Sequence, residues 1–227
     1  MNKGTAKDEH YPKAVIFDVD GLLVDSDDLT FVVVQDALRH DFNKRLTKHV
    51  FSQYFGLTRH YFTEAISEHY GLAKHERQLF AEIRNNLHYE AVQLKPGASA
   101  LLTYLEANGV PMGLATNGVP GSLSAKIDHL EIKPFFQEII LANEVPHPKP
   151  EPDIYEAMAK RLMLSVHELL VLEDSQVGVE AAVAAGCDVY FVPNHYITNA
   201  IHIAREHDIL LFTNLQAVLK HLQHLEK

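Results

Sequence analysis

Asp18 and Asp20 stand two residues apart at the end of a short apolar run, in the stretch KAVIFDVDGLLVDSDD (residues 13–28). The run Ala14-Val15-Ile16-Phe17 is brief and largely β-branched or aromatic, which predicts a buried strand. Side chains two apart in a strand point to the same side, so both carboxylates can face one small volume at the strand end. Gly21 follows as a flexible joint, then a second apolar run from Leu22 to Val24. Two acids so placed repel, and something must offset the repulsion. An Asp-x-Asp-Gly also occurs in turns and calcium loops. A calcium loop, however, follows a helix and carries its glycine at the sixth position; here a strand precedes, and the glycine comes fourth counting Asp18 as first.

Three more apolar runs end in polar chemistry. The run 110–115 breaks at Thr116-Asn117-Gly118, the run 138–141 leads to HPKPEPD with Lys149 just before a helix, and the run 168–172 stops at Glu173-Asp174. In open α/β sheets ligands bind beyond the carboxyl ends of the strands. Four consecutive ends offering acid, hydroxyl or amine therefore form a candidate constellation. Three carboxylates about 4 Å apart make three repulsive pairs of roughly 4 kcal/mol each at an effective dielectric of 20. The total, about 12 kcal/mol, matches the whole stability of many domains. One lysine does not offset it; a divalent cation does. Oxygen ligands and a few waters suit Mg2+, which takes one or two carboxylates plus a substrate phosphate. Charge balance thus predicts a magnesium-dependent phosphoryl site, provided the strand ends converge.

The elements that must position these groups alternate along most of the chain. Helices are predicted at 98–107, 121–130, 152–164, 175–185 and 198–206, with a closing helix from 214. Strands are predicted at 110–115, 138–141, 168–172, 189–192 and 209–211. Strands alternating with helices of about ten residues imply a parallel sheet covered on both faces. Between the first strand and Pro96-Gly97 the pattern is helical throughout: 29–40, 46–54, 58–70 and 75–92. The expected organisation is an α/β, Rossmann-like core of residues 1–24 and 96–227, with an α-helical cap, residues 25–95, inserted into it.

The polar strand ends resemble the motifs of the haloacid dehalogenase superfamily, in the branch of β-phosphoglucomutase-like proteins and sugar-phosphate phosphatases. FDVDGLLVDS, LATNG, HPKPEPDIY and LEDSQVGVEAAVAAG agree with the family's four motifs in order and spacing. The resemblance implies Asp18 as nucleophile, forming an aspartyl-phosphate, and Asp20 as the acid and then base. Thr116 and Asn117 would hold the phosphoryl oxygens, and Lys149 would neutralise charge on Asp18 and the phosphoryl group. Asp18, the Asp20 carbonyl and Asp174 would ligate Mg2+, with Glu173 a direct or water-mediated ligand. Arg59, in GLTR, resembles a cap arginine that contacts the substrate. Dehalogenases proper lack an acid at the Asp20 position and the magnesium site. The β-phosphoglucomutases carry a histidine where this chain has Thr30. The implied activity is hydrolysis of a small phosphate monoester such as a sugar phosphate, with phosphomutase as the alternative.

Composition sets the outer limits. A length of 227 residues buries a full core. A net charge of −10 argues against nucleic acid as a partner, since a phosphate backbone needs a basic face. No run is long enough to span a membrane, the opening thirteen residues read as a loose leader, and one cysteine, Cys187, fits a reducing compartment such as the cytoplasm. Fifteen histidines are scattered, with His221 and His224 read as surface residues. Lys44, Arg45, Lys48 and His49 read as a basic, exposed helix face. No sequence feature specifies an oligomeric state.

Overall fold

The computed structural model describes residues 11–89 and 92–226; the loose leader lies almost wholly outside the described residues. A six-stranded sheet runs in the order β3-β2-β1-β4-β5-β6, with every neighbouring pair parallel. Its strands are β1 (Ala14–Phe17), β2 (Met112–Thr116), β3 (Glu138–Leu141), β4 (Leu169–Glu173), β5 (Asp188–Phe191) and β6 (Leu210–Leu211). The sequence-predicted strands all form, and the fold class is the expected α/β core with a helical insertion. The strand order reverses at β1, so the crevice where ligands bind in such sheets opens beyond Phe17.

Period-2 alternation sorts the core into two layers. Val15 and Phe17 point to one face, packed with Leu101 and Leu105 of α5 (Ala98–Ala107) and Leu219 and Leu222 of α10 (Leu215–Leu225). Ala14 and Ile16 point to the other, packed with Tyr155 and Met158 of α7 (Asp153–Leu162) and Val179 and Ala182 of α8 (Gln176–Ala185). Both faces are buried, which is why the strands read as continuous apolar runs. Two more helices complete the core, α6 (Pro120–His129) and α9 (Ala200–Glu206).

Between β1 and α5 the chain forms α1 (Asp27–Phe42), α2 (Lys48–Gln53), α3 (Arg59–His69) and α4 (Glu76–Asn86). These bury an apolar cluster of their own, including Leu38, Phe51, Ile66 and Leu79. The two connections to the core run side by side. Asp25 N–H donates to the Gln93 carbonyl at 2.9 Å, Lys95 N–H to that of Leu23 at 2.8 Å, and Lys95 Nζ lies 3.2 Å from Asp25 Oδ1.

Three sequence expectations need correction. The helix predicted at 75–92 is α4 alone: it stops at Asn86, Leu87 turns extended, and residues 90 and 91 lie outside the described residues. Leu87 and Val92 are buried apolar residues after the helix, so apolar spacing alone overextended it. His221 is half-buried, whereas His224 is exposed as expected; the His221 ring packs edge-on against Tyr190 and Phe212, with centroids 5.4 and 5.3 Å apart. Lys44, Arg45, Lys48 and His49 are exposed as expected, but only Lys48 and His49 are helical, because Lys44 and Arg45 lie in the connection between α1 and α2.

Cys187 is buried just ahead of β5. Burial, reinforced by Asp188 and Glu156, pushes its thiol up to about 12, so the reactive thiolate is scarce at neutral pH. The folded protein is expected to leave this cysteine unlabelled by a disulfide reagent at about pH 8, with full reaction only in denaturant. Ready labelling of the folded protein would contradict that placement.

Candidate active site

The strand ends converge. Asp18 follows β1 directly and is tied to the next strand by its amide, which donates to the Leu172 carbonyl at 3.1 Å. Thr116 ends β2, Glu173 ends β4, and Asp174 comes next. Carboxylate oxygens of Asp18, Glu173 and Asp174 all lie within 4.8 Å of one another, and the three residues are buried.

Lys149 reaches this acid cluster from the loop before α7, its backbone held by Asn117. The Asn117 side chain accepts from the Lys149 amide at 3.2 Å and donates to the Lys149 carbonyl at 3.2 Å and to the Gly56 carbonyl at 2.9 Å. Asn117 lines the cavity, and its side chain braces Lys149 and the helical segment. The Lys149 ammonium donates to Asp18 Oδ1 at 2.7 Å, Glu173 Oε1 at 2.5 Å and the Ala115 carbonyl at 2.8 Å, satisfying its three donors. Burial would lower its pKa, but Asp18 and Glu173 more than offset this and hold it above its ordinary value.

Glu173 is fully buried and fully engaged. Besides Lys149, Oε1 accepts from Tyr155 OH at 2.7 Å. Oε2 accepts from the amides of Asp174 and Ser175, at 3.1 and 3.4 Å, and from Ser175 Oγ at 3.2 Å. Burial pushes Asp18 up to about 7, against the pull of Lys149. Burial, then Asp18, Asp27 and Glu173, push Asp174 well above the usual carboxylate range, and its Oδ2 is buried with no hydrogen-bond partner among the described residues. The donors are hard oxygens, and an orphaned carboxylate oxygen among raised carboxylates calls for positive charge. The residues fit a divalent cation such as Mg2+, with Asp18 and Asp174 the groups free to hold it. Gly21 makes the space: its φ is +84°, and a Cβ there would stand 2.0 Å from Asp174 Oδ2.

Asp20 faces a different set of partners. Its Oδ1 accepts from the Ser26 hydroxyl and from the Lys126 ammonium. Burial would raise its pKa, but Lys126, then Ser26 and Arg59, bring it below its ordinary value. Neither Ser26 nor Lys126 was picked out by sequence. Ser26 precedes α1, yet its side chain makes no cap bond there and serves Asp20 instead. Lys126 lies on the buried face of α6 with Ser122, Leu123 and Ile127. A lysine within an apolar stripe was the signal for it.

Asp18, Asp20, Thr116 and Asp174 floor a cavity of about 130 Å³, roofed by Phe51, Phe55, Leu57 and Phe62 of the helical segment. Thr116 Oγ1 accepts from the Gly118 amide at 2.9 Å. Arg59 begins α3, lines the same cavity and donates to Tyr89 OH at 2.8 Å. The structure therefore gathers Asp18, Asp20, Thr116, Asn117, Asp174 and Arg59 around one volume, with Lys149 and Glu173 hydrogen-bonded behind Asp18.

Comparison with known proteins places the chain in a family. A protein of Drosophila melanogaster named as a probable pseudouridine-5'-phosphatase is 33% identical over 187 residues, 79% of this chain and 80% of its own. Hexitol phosphatase A of Escherichia coli is 31% identical over 187 residues, 79% and 82% of the two chains. The crystal structure of β-phosphoglucomutase from Clostridium difficile shares the fold, with a TM-score of 0.77 over 94% of this chain and 96% of that one, at 20% identity. The family described as haloacid dehalogenase-like hydrolase matches residues 15–192, and the chain belongs to that family.

Proposed function

We propose that this chain is a Mg2+-dependent phosphatase that hydrolyses small phosphate monoesters, sugar phosphates among them, through an aspartyl-phosphate on Asp18. The observation that carries this reading is the pairing of two differently held aspartates above one buried lysine. Asp18 is fixed through Oδ1 by Lys149, and Asp20 is turned toward the same cavity by a separate set of donors.

Asp18 attacks phosphorus, the ester P–O bond breaks, and Asp20 gives its proton to the leaving oxygen. The arriving phosphoryl charge beside Asp20 favours its protonated form. In the second half, Asp20 as carboxylate takes a proton from water. The water oxygen bonds to phosphorus, and the bond to Asp18 breaks to release phosphate. Thr116 faces the charge that spreads over the phosphoryl oxygens, and Lys149, bonded to Asp18, offsets it from behind. Mg2+, held by Asp18, Asp174 and the Asp20 carbonyl, would supply further positive charge there when bound. Glu173 holds Lys149 and adds to the acidity of the metal site. Arg59 would meet the substrate from above, and residues 25–95 would act as a cap that excludes water when closed. A small phosphorylated metabolite in the cytoplasm fits the size of the aromatic-roofed cavity, and a net charge of −10 argues against nucleic acid as the partner. No helix of the described residues is long and apolar enough to cross a membrane.

Hydrolysis is preferred to phosphoryl transfer between sugar hydroxyls because no histidine of the described residues lines the cavity. Thr30, which stands at the mutase histidine's place, donates its hydroxyl to the Ser26 carbonyl at 2.9 Å.

Three outcomes are expected. Asp18→Asn lowers turnover of an aryl phosphate by roughly three orders of magnitude or more while circular dichroism stays native; undiminished activity refutes the nucleophile assignment. EDTA stops hydrolysis and added Mg2+ restores it. Mg2+ also raises the melting temperature of the wild type by several degrees through preferential binding to the folded state, and Asp174→Asn loses that rise. Activity surviving chelation, or equal shifts in both proteins, refutes the metal assignment. With β-glucose 1-phosphate and a bisphosphate primer, inorganic phosphate accumulates; rapid formation of glucose 6-phosphate without it reverses the choice between the two reactions.

A further inference from the structure

Lys126 is the cation beside the reaction that the steps above leave without a part. Its side chain is 3% exposed, and a lysine so buried needs a partner. The ammonium meets Asp20 Oδ1, which also accepts from the Ser26 hydroxyl. It lies 4.4 Å from the centre of the Tyr89 ring, a cation–π contact. Tyr89 in turn accepts at its hydroxyl from Arg59.

The two oxygens of Asp20 are therefore unlike. Oδ1 is pinned by an ammonium and a hydroxyl, whereas the described residues make no hydrogen bond to Oδ2. Oδ2 faces the end of β2: a Cβ at Gly118 would stand 3.6 Å from it and 3.1 Å from Thr116 Oγ1. That is the side on which a phosphoryl group meets Thr116. Lys126 lines the cavity, but its ammonium is already engaged by the Asp20 carboxylate and the Tyr89 ring, which makes it a poor phosphate ligand.

We propose that Lys126 is a positioning residue that anchors Asp20 Oδ1 so that Oδ2 is presented to the bridging ester oxygen, and that Tyr89 ties this arrangement to the segment carrying Arg59. The assignment rests on the phosphatase reading and gives Asp20 its aim. A well-placed general acid contributes about 10²–10⁴-fold, and a misplacement of about 1 Å costs on the order of 10²-fold. Only leaving groups that need a proton would feel the loss.

The test compares wild type, Lys126→Met and Lys126→Arg on two substrates. Glycerol phosphate has an alkoxide leaving group that needs a proton; 2,4-dinitrophenyl phosphate has one that does not. Lys126→Met should lower kcat for glycerol phosphate about 10²-fold or more. The pre-steady-state burst of dinitrophenolate, which reports attack by Asp18, should stay within about threefold, and Lys126→Arg should recover part of the loss. Equal losses on both substrates, a change in KM alone, or no change would overturn the proposal. A crystal structure supplies a readout independent of turnover: in Lys126→Met the Asp20 carboxylate should rotate away from its wild-type place, and an unmoved carboxylate overturns the proposal. A wild type that turns over neither substrate refutes the phosphatase reading, and the position of Asp20 then decides the role of Lys126 by itself.

Discussion

The ammonium of Lys149 sits between Asp18 and Glu173, and its third donor reaches the Ala115 carbonyl. Removing one partner from a buried ion pair costs on the order of 3–5 kcal/mol, because the other charge is left uncompensated. Much of the surrounding structure keeps these groups in register. Asn117 fixes the Lys149 backbone from two sides, and Tyr155 and Ser175 hold Glu173. Gly178 leaves room for the Glu173 carboxylate, which a Cβ at that position would approach to 1.9 Å. A single ammonium thus organises the ends of β1, β2 and β4.

The lysine does not neutralise the site, and that residue of charge gives the site its use. Asp18, Asp27 and Asp174 all carry raised pKa values, with burial the first cause in each. Burial disfavours a carboxylate's charged form unless a cation shares the volume. The protein keeps these acids buried against their solvation preference, a cost that a bound cation lowers. Asp20 stands apart because Lys126 and Ser26 meet it separately. One environment therefore readies Asp18 among fixed charges, and another leaves one oxygen of Asp20 open toward the cavity.

The helical segment is joined to the core by more than its two connections. Tyr196, from the loop after β5, packs among Phe31, Phe51 and Phe55 and donates to Asp28 Oδ1 at 2.6 Å. Asn194 in the same loop donates to Asp27. The first turn of α1 is thus held against the core, next to the cavity it helps to cover. Farther along the segment, Gly56 and Arg59 are tied to the site through Asn117 and Tyr89.

Asp18, Thr116, Lys149 and Asp174 were legible in the sequence because each follows a recognisable apolar run, and the topology of a parallel sheet brings the ends of such runs together. The strands and most helices were legible for the same reason: burial of both sheet faces writes itself as apolar continuity. Side-chain partnership over long separations was not legible. Lys126 and Asp20 are 106 residues apart, Asn194 and Asp27 are 167 apart, and nothing local marks either pair. A donor's or acceptor's partner depends on which groups lie within about 3 Å, as the Ser26 hydroxyl on Asp20 and the Asn117 side chain on Lys149 illustrate. The sequence by itself determined which chemical groups stand at the strand ends. Only the tertiary structure decided which oxygen of each carboxylate is held and which is free, because that choice is made by neighbours that folding alone brings within reach.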